Sequence, residues 1–329
     1  MSSSAADDPV AAGPRTHAGI GGRVIKGLGI GAGVVGLLVV VGAALRAWGG
    51  IVHGHPAYLI ALVITLVAAV GIIVWWRRRA NPPRGWRLAG AGTLLIVWAL
   101  WCAGLGWASP HTAVAPALEA MTSDDVVRVA DSATRIVLIP TGHASTTGVV
   151  FQPGALVDAR AYAAVLRPIA AAGHPVVIVK QPFGIAFLAT GALREARQAV
   201  PDVTGWVLAG HSLGGTVAAM QADAADEDAH APAVGLLLWA SYPAGDVSTS
   251  LTVPVASISG TSDGLATPAK IEASRADLPV SAQFIALPGV SHAQFGAYGP
   301  QSGDGTPTVG DDVARSLIAE ASLRFVEER

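Results

Sequence analysis

Three stretches of this chain, residues 27–45, 57–76 and 88–107, run for 19 or 20 residues without a charge. That is the length a helix needs to cross a hydrocarbon core about 30 Å thick. Lipid offers no partner for backbone N–H and C=O groups, so such runs must fold as helices that bond internally. A secretory signal peptide would have a shorter apolar core, a small-residue cleavage site and no further spans behind it. Trp75, Trp76, Trp86 and Trp107 stand at the ends of the runs, where interfacial aromatics belong. The pattern predicts a three-span membrane anchor over residues 27–107, preceded by a tail, residues 1–26.

Charge placement orients the anchor. Arg15, Arg23 and Lys26 precede the first span, and Arg77, Arg78, Arg79, Arg84 and Arg87 separate the second from the third. Only Arg46 lies between the first and second. Basic residues favour the cytoplasmic side, which places the N-terminus inside and everything after Trp107 outside the cytoplasm. The lipid bilayer is therefore one expected partner.

The rest of the composition excludes several classes. A net charge of −2 provides no basic field for nucleic acid. The single cysteine, Cys102, forms no internal disulfide and no cysteine metal site. Residues 31–36 read GAGVVG, the letters of a dinucleotide-binding loop, but they sit inside one apolar run, and no acidic residue follows until Glu119. A nucleotide loop needs a strand before it, a helix after it and an acid about 20 residues on. Small residues that let membrane helices approach closely explain the string better. His53 and His55 have no third metal ligand nearby and read as a polar interfacial loop. No cofactor and no metal are expected.

A segment at 108–131, containing Pro110 and Pro116, reads as a linker. Beyond it the pattern changes. Strand-length apolar runs, RIVLIP (135–140), TGVVFQP (147–153), PVVIVK (175–180), WVLAG (206–210), VGLLLWA (234–240), VPVASIS (253–259) and SAQFIAL (281–287), alternate with helical stretches such as 158–172 and 213–225. Continuous Val/Ile/Leu runs alternating with helices predict an α/β domain over 132–329, a mostly parallel sheet covered on both faces.

Within it, WVLAGHSLGG, residues 206–215, is a strand that passes into a helix through one serine. Sites in parallel sheets form at the carboxyl ends of strands. The glycines at 210 and 214 relieve crowding at a sharp turn and leave the Ser212 hydroxyl clear of the sheet, with His211 as the other elbow residue. The helix start aims N–H groups at any anion formed there. In a chain holding 39 glycines the five-letter string alone is weak, and the strand–turn–helix context carries it.

A serine needs a base, and with this turn the triad order is Ser, acid, His. Two histidines follow Ser212. His230 trails an acidic run and reads as surface, whereas His292, in LPGVSHAQFG, follows the last predicted strand at the correct end of the sheet. Asp263, in SISGTSDGLATP, is the preferred acid, with Asp246 in SYPAGD the alternative. Asp304 and Asp277 read as loop and helix charges. An oxyanion hole needs two backbone donors. Leu213 N–H, just after the serine, supplies one, and Ala155, following Gly154 in FQPGALVD, is the candidate for the other.

These residues, from FQPGALVDARAY and VVIVKQPFGIAF through GHSLGG and GTSDGLATP to GVSHAQFGAYGPQSGDG, resemble the α/β-hydrolase superfamily, in a bacterial branch similar to dienelactone hydrolases. The resemblance covers about 135–329 and implies an α/β-hydrolase fold with a Ser212–His292–Asp263 triad. It departs from dienelactone hydrolases proper, whose nucleophile is cysteine, so their substrate does not carry over. The interval between the strands ending near 240 and starting near 253 is too short for a sizeable lid, which predicts an open site, covered in part by YGPQSGDGTPTVG or by the membrane face.

The expected function is a membrane-anchored serine hydrolase acting outside the cytoplasm on a small-molecule or lipid-like ester or thioester. An acyltransferase that passes the acyl group to an alcohol is the enzymatic alternative. A hydrolase-fold binding module with an idle site is the non-enzymatic one. Oligomeric state is not legible in the sequence.

Overall fold

The computed structural model describes residues 20–79, 83, 86–228 and 231–329. Arg15, Arg84 and His230 lie outside the described residues. Helices α1 (Ile20–His53), α2 (Pro56–Arg78) and α3 (Trp86–Trp107) are each long and apolar enough to cross a membrane, with mean hydropathy of 2.5, 2.8 and 1.9. The chain divides into two compact units, the described residues up to 40 with 64–104, and residues 41–63 with 105–329.

In the first unit, glycines allow the close helix contacts expected of them. Side chains placed on Gly29 and Gly33 would collide with Trp76 and with Ile73, and one on Gly36 with Trp98. The Trp98 indole N–H donates to the carbonyl of Ala32 at 2.8 Å, inside the GAGVVG string. That string is a continuous helix and forms no phosphate loop. Lys26 Nζ donates to the carbonyl of Arg77 at 3.2 Å, a cation at the C-terminal end of α2, where the helix dipole favours it.

The second unit is built on an eight-stranded sheet: β1 (Val127–Asp131), β2 (Arg135–Pro140), β3 (Thr147–Gln152), β4 (Val176–Val179), β5 (Gly205–His211), β6 (Ala233–Trp239), β7 (Val255–Gly260) and β8 (Gln283–Leu287), in the order β1-β2-β4-β3-β5-β6-β7-β8. β3 to β8 pair in parallel, and β1 and β2 form an antiparallel edge. The connecting helices are α4 (Ala163–Ala171), α5 (Ala192–Ala199), α6 (Leu213–Asp223), α7 (Pro268–Ala273) and α8 (Asp311–Glu327).

Because successive side chains of a strand point to opposite faces, each apolar run feeds two cores. Val149, Phe151, Ile178, Val207, Leu237 and Trp239 pack on one face with Leu166, Ile318 and Phe325 from α4 and α8. Val150, Val177, Trp206, Leu208 and Leu238 pack on the other with Leu193 and Ala218 from α5 and α6. This is why the runs are continuous rather than alternating.

Residues 108–131, expected to be a linker, are part of this unit. Ala113 and Ala117 are buried, β1 lies within the segment, and Val114 N–H donates to Ala297 O at 2.9 Å. The residues between β6 and β7, 240–254, contain no helix, as expected for a fold without a sizeable lid.

Trp239 anchors the first core. It is fully buried, lies 4.8 Å from the Phe151 ring, and its indole N–H donates to Ser322 Oγ at 2.9 Å. Trp239→Ala is expected to cost about 3–5 kcal/mol. Ser322→Ala, which orphans a buried donor, is expected to cost about 1–3 kcal/mol. Met220→Ser, on the exposed side of α6, should be near neutral. Chemical denaturation in detergent followed by tryptophan fluorescence measures all three.

Candidate active site

β5 ends at His211 and α6 begins at Leu213, so Ser212 alone makes the turn. Its backbone has φ 52° and ψ −125°, a left-handed conformation that costs a side-chain-bearing residue on the order of 1–3 kcal/mol. The turn is held from both sides. Ser212 N–H donates to Trp239 O at 2.9 Å, and Ser212 O accepts from Ser241 Oγ at 2.6 Å. Gly210 and Gly214 are glycines for steric reasons. A Cβ at 210 would collide with the backbone of Gly214, and one at 214 with the carbonyl oxygens of Gln152 and Pro153.

His292 and Asp263 come together. His292 Nδ1 lies 2.8 Å from Asp263 Oδ2, with both side chains buried. Asp263 Oδ1 accepts the N–H groups of Leu265 and Ala266 at 2.8 and 2.7 Å, which fixes the carboxylate. A carboxylate accepts and does not donate, so a bond between the two is donated by the imidazole at Nδ1. Ser212 is half-buried, and among the described residues its hydroxyl makes no hydrogen bond to His292.

The two expected oxyanion donors also stand apart from the rest of the backbone. Gly154 N–H is bonded to Tyr162 Oη at 2.9 Å, and Leu156 N–H to Gly184 O at 2.8 Å. Between them, the Ala155 N–H has no acceptor among the described residues, and the same is true of Leu213 N–H at the start of α6. The contact of Gly214 with the carbonyls of Gln152 and Pro153 draws these two backbones together.

Two features of the site escaped the sequence reading. The first is a buried pair beneath the elbow. Tyr162 Oη, which accepts from Gly154 N–H, lies 2.8 Å from His211 Nδ1. The His211 ring packs 4.5 Å from the His292 ring and stacks on Phe295 at 5.6 Å. Burial, and then the adjacent His292, hold the His211 imidazole well below its ordinary value, so it is neutral.

The second is Asp304. Its Oδ1 accepts from Gly264 and His292 N–H at 3.1 Å each, and its Oδ2 from Ala293 N–H at 2.8 Å. Burial pushes this carboxyl up, but these bonds and one from Gly305 leave it below the usual carboxylate value. Asp304 thus ties the loop bearing Asp263 to the loop bearing His292, where the sequence suggested only a loop charge. The stretch after His292 carries Asp304 and so joins these two loops. It helps enclose a cavity of about 470 Å³ bordered by Ser291, Ala293 and Asp304 and not by Ser212.

Asp246, the alternative acid, is exposed, and hydrogen bonding from Ser248 holds its carboxyl below the usual range. It makes no bond to His292, because it caps a turn at residues 246–248. Asp277 ends a short turn after α7. Among the described residues no group of three or more His, Cys, Asp or Glu side chains is gathered to hold a metal.

The buried imidazole sets a pH dependence. In the unfolded chain His211 titrates at about 6.5, and in the folded chain lower. The unfolded state therefore binds the proton first as pH falls. Its contribution is fully present above pH 6.5 and is lost on acidification, and His55 and His111 shift in the same direction, mainly through burial. The melting temperature is expected to fall between about pH 7.5 and about pH 5.5, before carboxylates titrate. His211→Gln should flatten that slope in a thermal-shift series.

No curated protein matches the chain's sequence. Among solved structures, the dienelactone hydrolase of Anabaena variabilis is 16% identical, over 61% of this chain and 98% of its own, with a TM-score of 0.45. Est1E of Butyrivibrio proteoclasticus is 12% identical, over 61% and 99%, with a TM-score of 0.43. A Pyrobaculum calidifontis esterase is 16% identical, over 64% and 88%, with a TM-score of 0.45. The family model described as "Alpha/beta hydrolase family" matches residues 148–315, just over half of the sequence, and the chain belongs to that family.

Proposed function

We propose that the protein is a membrane-anchored serine hydrolase that cleaves carboxylic esters or thioesters through an acyl-enzyme. The observation that carries the reading is the buried His292–Asp263 pair, bonded at 2.8 Å, in the same unit as a serine held at positive φ between strand and helix. In this reading the substrate carbonyl sits against Ser212, and the hydroxyl closes on His292 Nε2 as substrate binds, since catalytic hydrogen bonds tighten in the complex. Ser212 Oγ attacks the carbonyl carbon and its proton passes to Nε2. Asp263 keeps Nδ1 protonated and stabilises the imidazolium.

The carbonyl oxygen, now an oxyanion, takes the free N–H groups of Leu213 and Ala155. His292 returns the proton to the departing alcohol or thiol. Water then attacks the acyl-enzyme with His292 as base, releasing the acid and Ser212. The neutral His211 ring beside His292 adds no positive charge to oppose the imidazolium.

The three apolar helices tether this chemistry to a membrane. The basic residues at 23, 26, 77–79 and 87 support a cytoplasmic N-terminus and a hydrolase domain on the opposite side.

One experiment tests both halves of the proposal. Sealed right-side-out vesicles carrying the protein are given a charged, membrane-impermeant short-chain ester, and its hydrolysis is followed. Turnover is expected without added detergent. Ser212→Ala and His292→Ala should lower it on the order of 10⁶-fold and Asp263→Asn on the order of 10⁴-fold. Hydrolysis that appears only after the vesicles are opened would reverse the topology, and an active Ser212→Ala would remove the serine from the mechanism.

A further inference from the structure

The outer ends of the first two membrane-length helices do more than end near the hydrolase domain. Residues 41–63 belong to its compact unit, and they reach the loop that carries Ala155 by two routes.

The first route starts at a break in α1. Ala47 departs from helical geometry, with φ −137° and ψ 27°, and the turn beyond it presents bare backbone at Gly49 and Gly50. A Cβ on Gly49 would lie 3.1 Å from Arg160 Nη2 and from Thr112, and one on Gly50 3.0 Å from Pro110. Residues 110–113 therefore lie directly on the helix end. They are bonded in turn to the oxyanion loop. His111 N–H donates to Leu156 O at 2.7 Å, Asp158 N–H to His111 O at 2.9 Å, and Ala113 N–H to Asp158 Oδ2 at 3.3 Å. Arg160 clamps the same carboxylate through two nitrogens, in a buried pair.

The second route starts at Tyr58, in the first turn of α2. It is buried, its hydroxyl donates to Leu105 O at 2.7 Å, and its ring meets Phe183 edge-on at 6.5 Å. Phe183 and Gly184 both have positive φ, 54° and 66°. Gly184 O accepts the Leu156 N–H, and the space its Cβ would need is taken by Leu156 Cα at 2.7 Å. Leu156 also has positive φ, 59°, and immediately follows Ala155. The void left among Tyr58, Phe183, Gly184 and Asp158 is only about 40 Å³. Three residues of positive φ, Leu156 from one loop and Phe183 and Gly184 from another, thus meet here, and the Tyr58 ring packs against Phe183.

We infer that the outer ends of α1 and α2 are positioning elements of the active site, with Tyr58 holding the Phe183–Gly184 turn so that the Ala155 N–H stays aimed at the oxyanion. This rests on the serine-hydrolase reading above. Tyr58 touches no reacting atom. Its effect passes through Phe183, Gly184 and Leu156 to one donor, and that donor acts on the transition state more than on the bound ester.

The test uses the full-length protein in detergent or vesicles with a soluble short-chain ester, recording kcat, KM and melting temperature. Tyr58→Ala is expected to lower kcat by about 10- to 100-fold with KM changed less than about twofold, as befits a displacement of about 1 Å at a catalytic donor. Tyr58→Phe, which keeps the ring against Phe183, should restore most of the rate. Phe183→Ala leaves the helices untouched and should reproduce the kcat loss. The double variant should lose little more than either single, because both break one contact.

Wild-type kcat in Tyr58→Ala and Phe183→Ala would overturn the inference. So would a rate loss matched by a fall in folded protein, or one confined to KM. Wild type without Ser212-dependent turnover would instead defeat the hydrolase reading, so the two failures are distinct.

Discussion

The site depends on a strand turning into a helix within one residue. That turn puts Ser212 at positive φ and leaves no room for side chains at 210 or 214. The strain is tolerated because the surrounding backbone over-determines it, with Trp239 O below the serine and Ser241 Oγ on its carbonyl. The same glycine that relieves the turn lets the end of β3 approach the start of α6. The first turn of α6 thereby lies against the backbone of Gln152 and Pro153, from a segment about 60 residues away. Once β5 and α6 are joined this way, the carboxyl ends of β3, β7 and β8 are the places from which the remaining groups must come.

The loops at those ends are long and irregular, yet their polar groups are accounted for. Asp263 spends one oxygen on two backbone N–H groups and the other on His292, while Asp304 accepts four N–H groups from the two loops it joins. Tyr162 Oη accepts the Gly154 N–H and lies against His211 Nδ1. Buried carboxylates and imidazoles are costly unless paired. Here the pairing fixes loop geometry, so the bonds that offset desolvation also hold Asp263 and His292 in place. Tyr58 and Gly49 make contacts of their own with Phe183 and with Thr112 and Arg160.

Much of this was legible in the sequence, because it rests on local pattern. Uncharged runs of membrane length marked α1 to α3. Val/Ile/Leu runs marked β2 to β8, with ends within about three residues of those found. The residues around Ser212 announced the turn through their glycines, and the order of Asp263 and His292 along the chain followed from the strands they succeed. What was missed is non-local. β1 reads VRVAD, an edge strand with charges facing solvent, and carries no apolar run. Residues 111–113 become a strap only because Leu156 and Asp158 lie opposite. Asp304, Tyr162 and His211 acquire roles from partners 8 to 49 residues away, which spacing along a chain does not reveal.

The most direct measurement is to treat the full-length protein in detergent with a fluorophosphonate, digest it, and locate the phosphorus by mass spectrometry. A single adduct on the peptide spanning Trp206–Gly215, at Ser212, is the expected result, and it should be absent when the protein is unfolded before treatment. An adduct on any other serine, or equal labelling of folded and unfolded protein, would contradict an activated nucleophile at the β5–α6 turn.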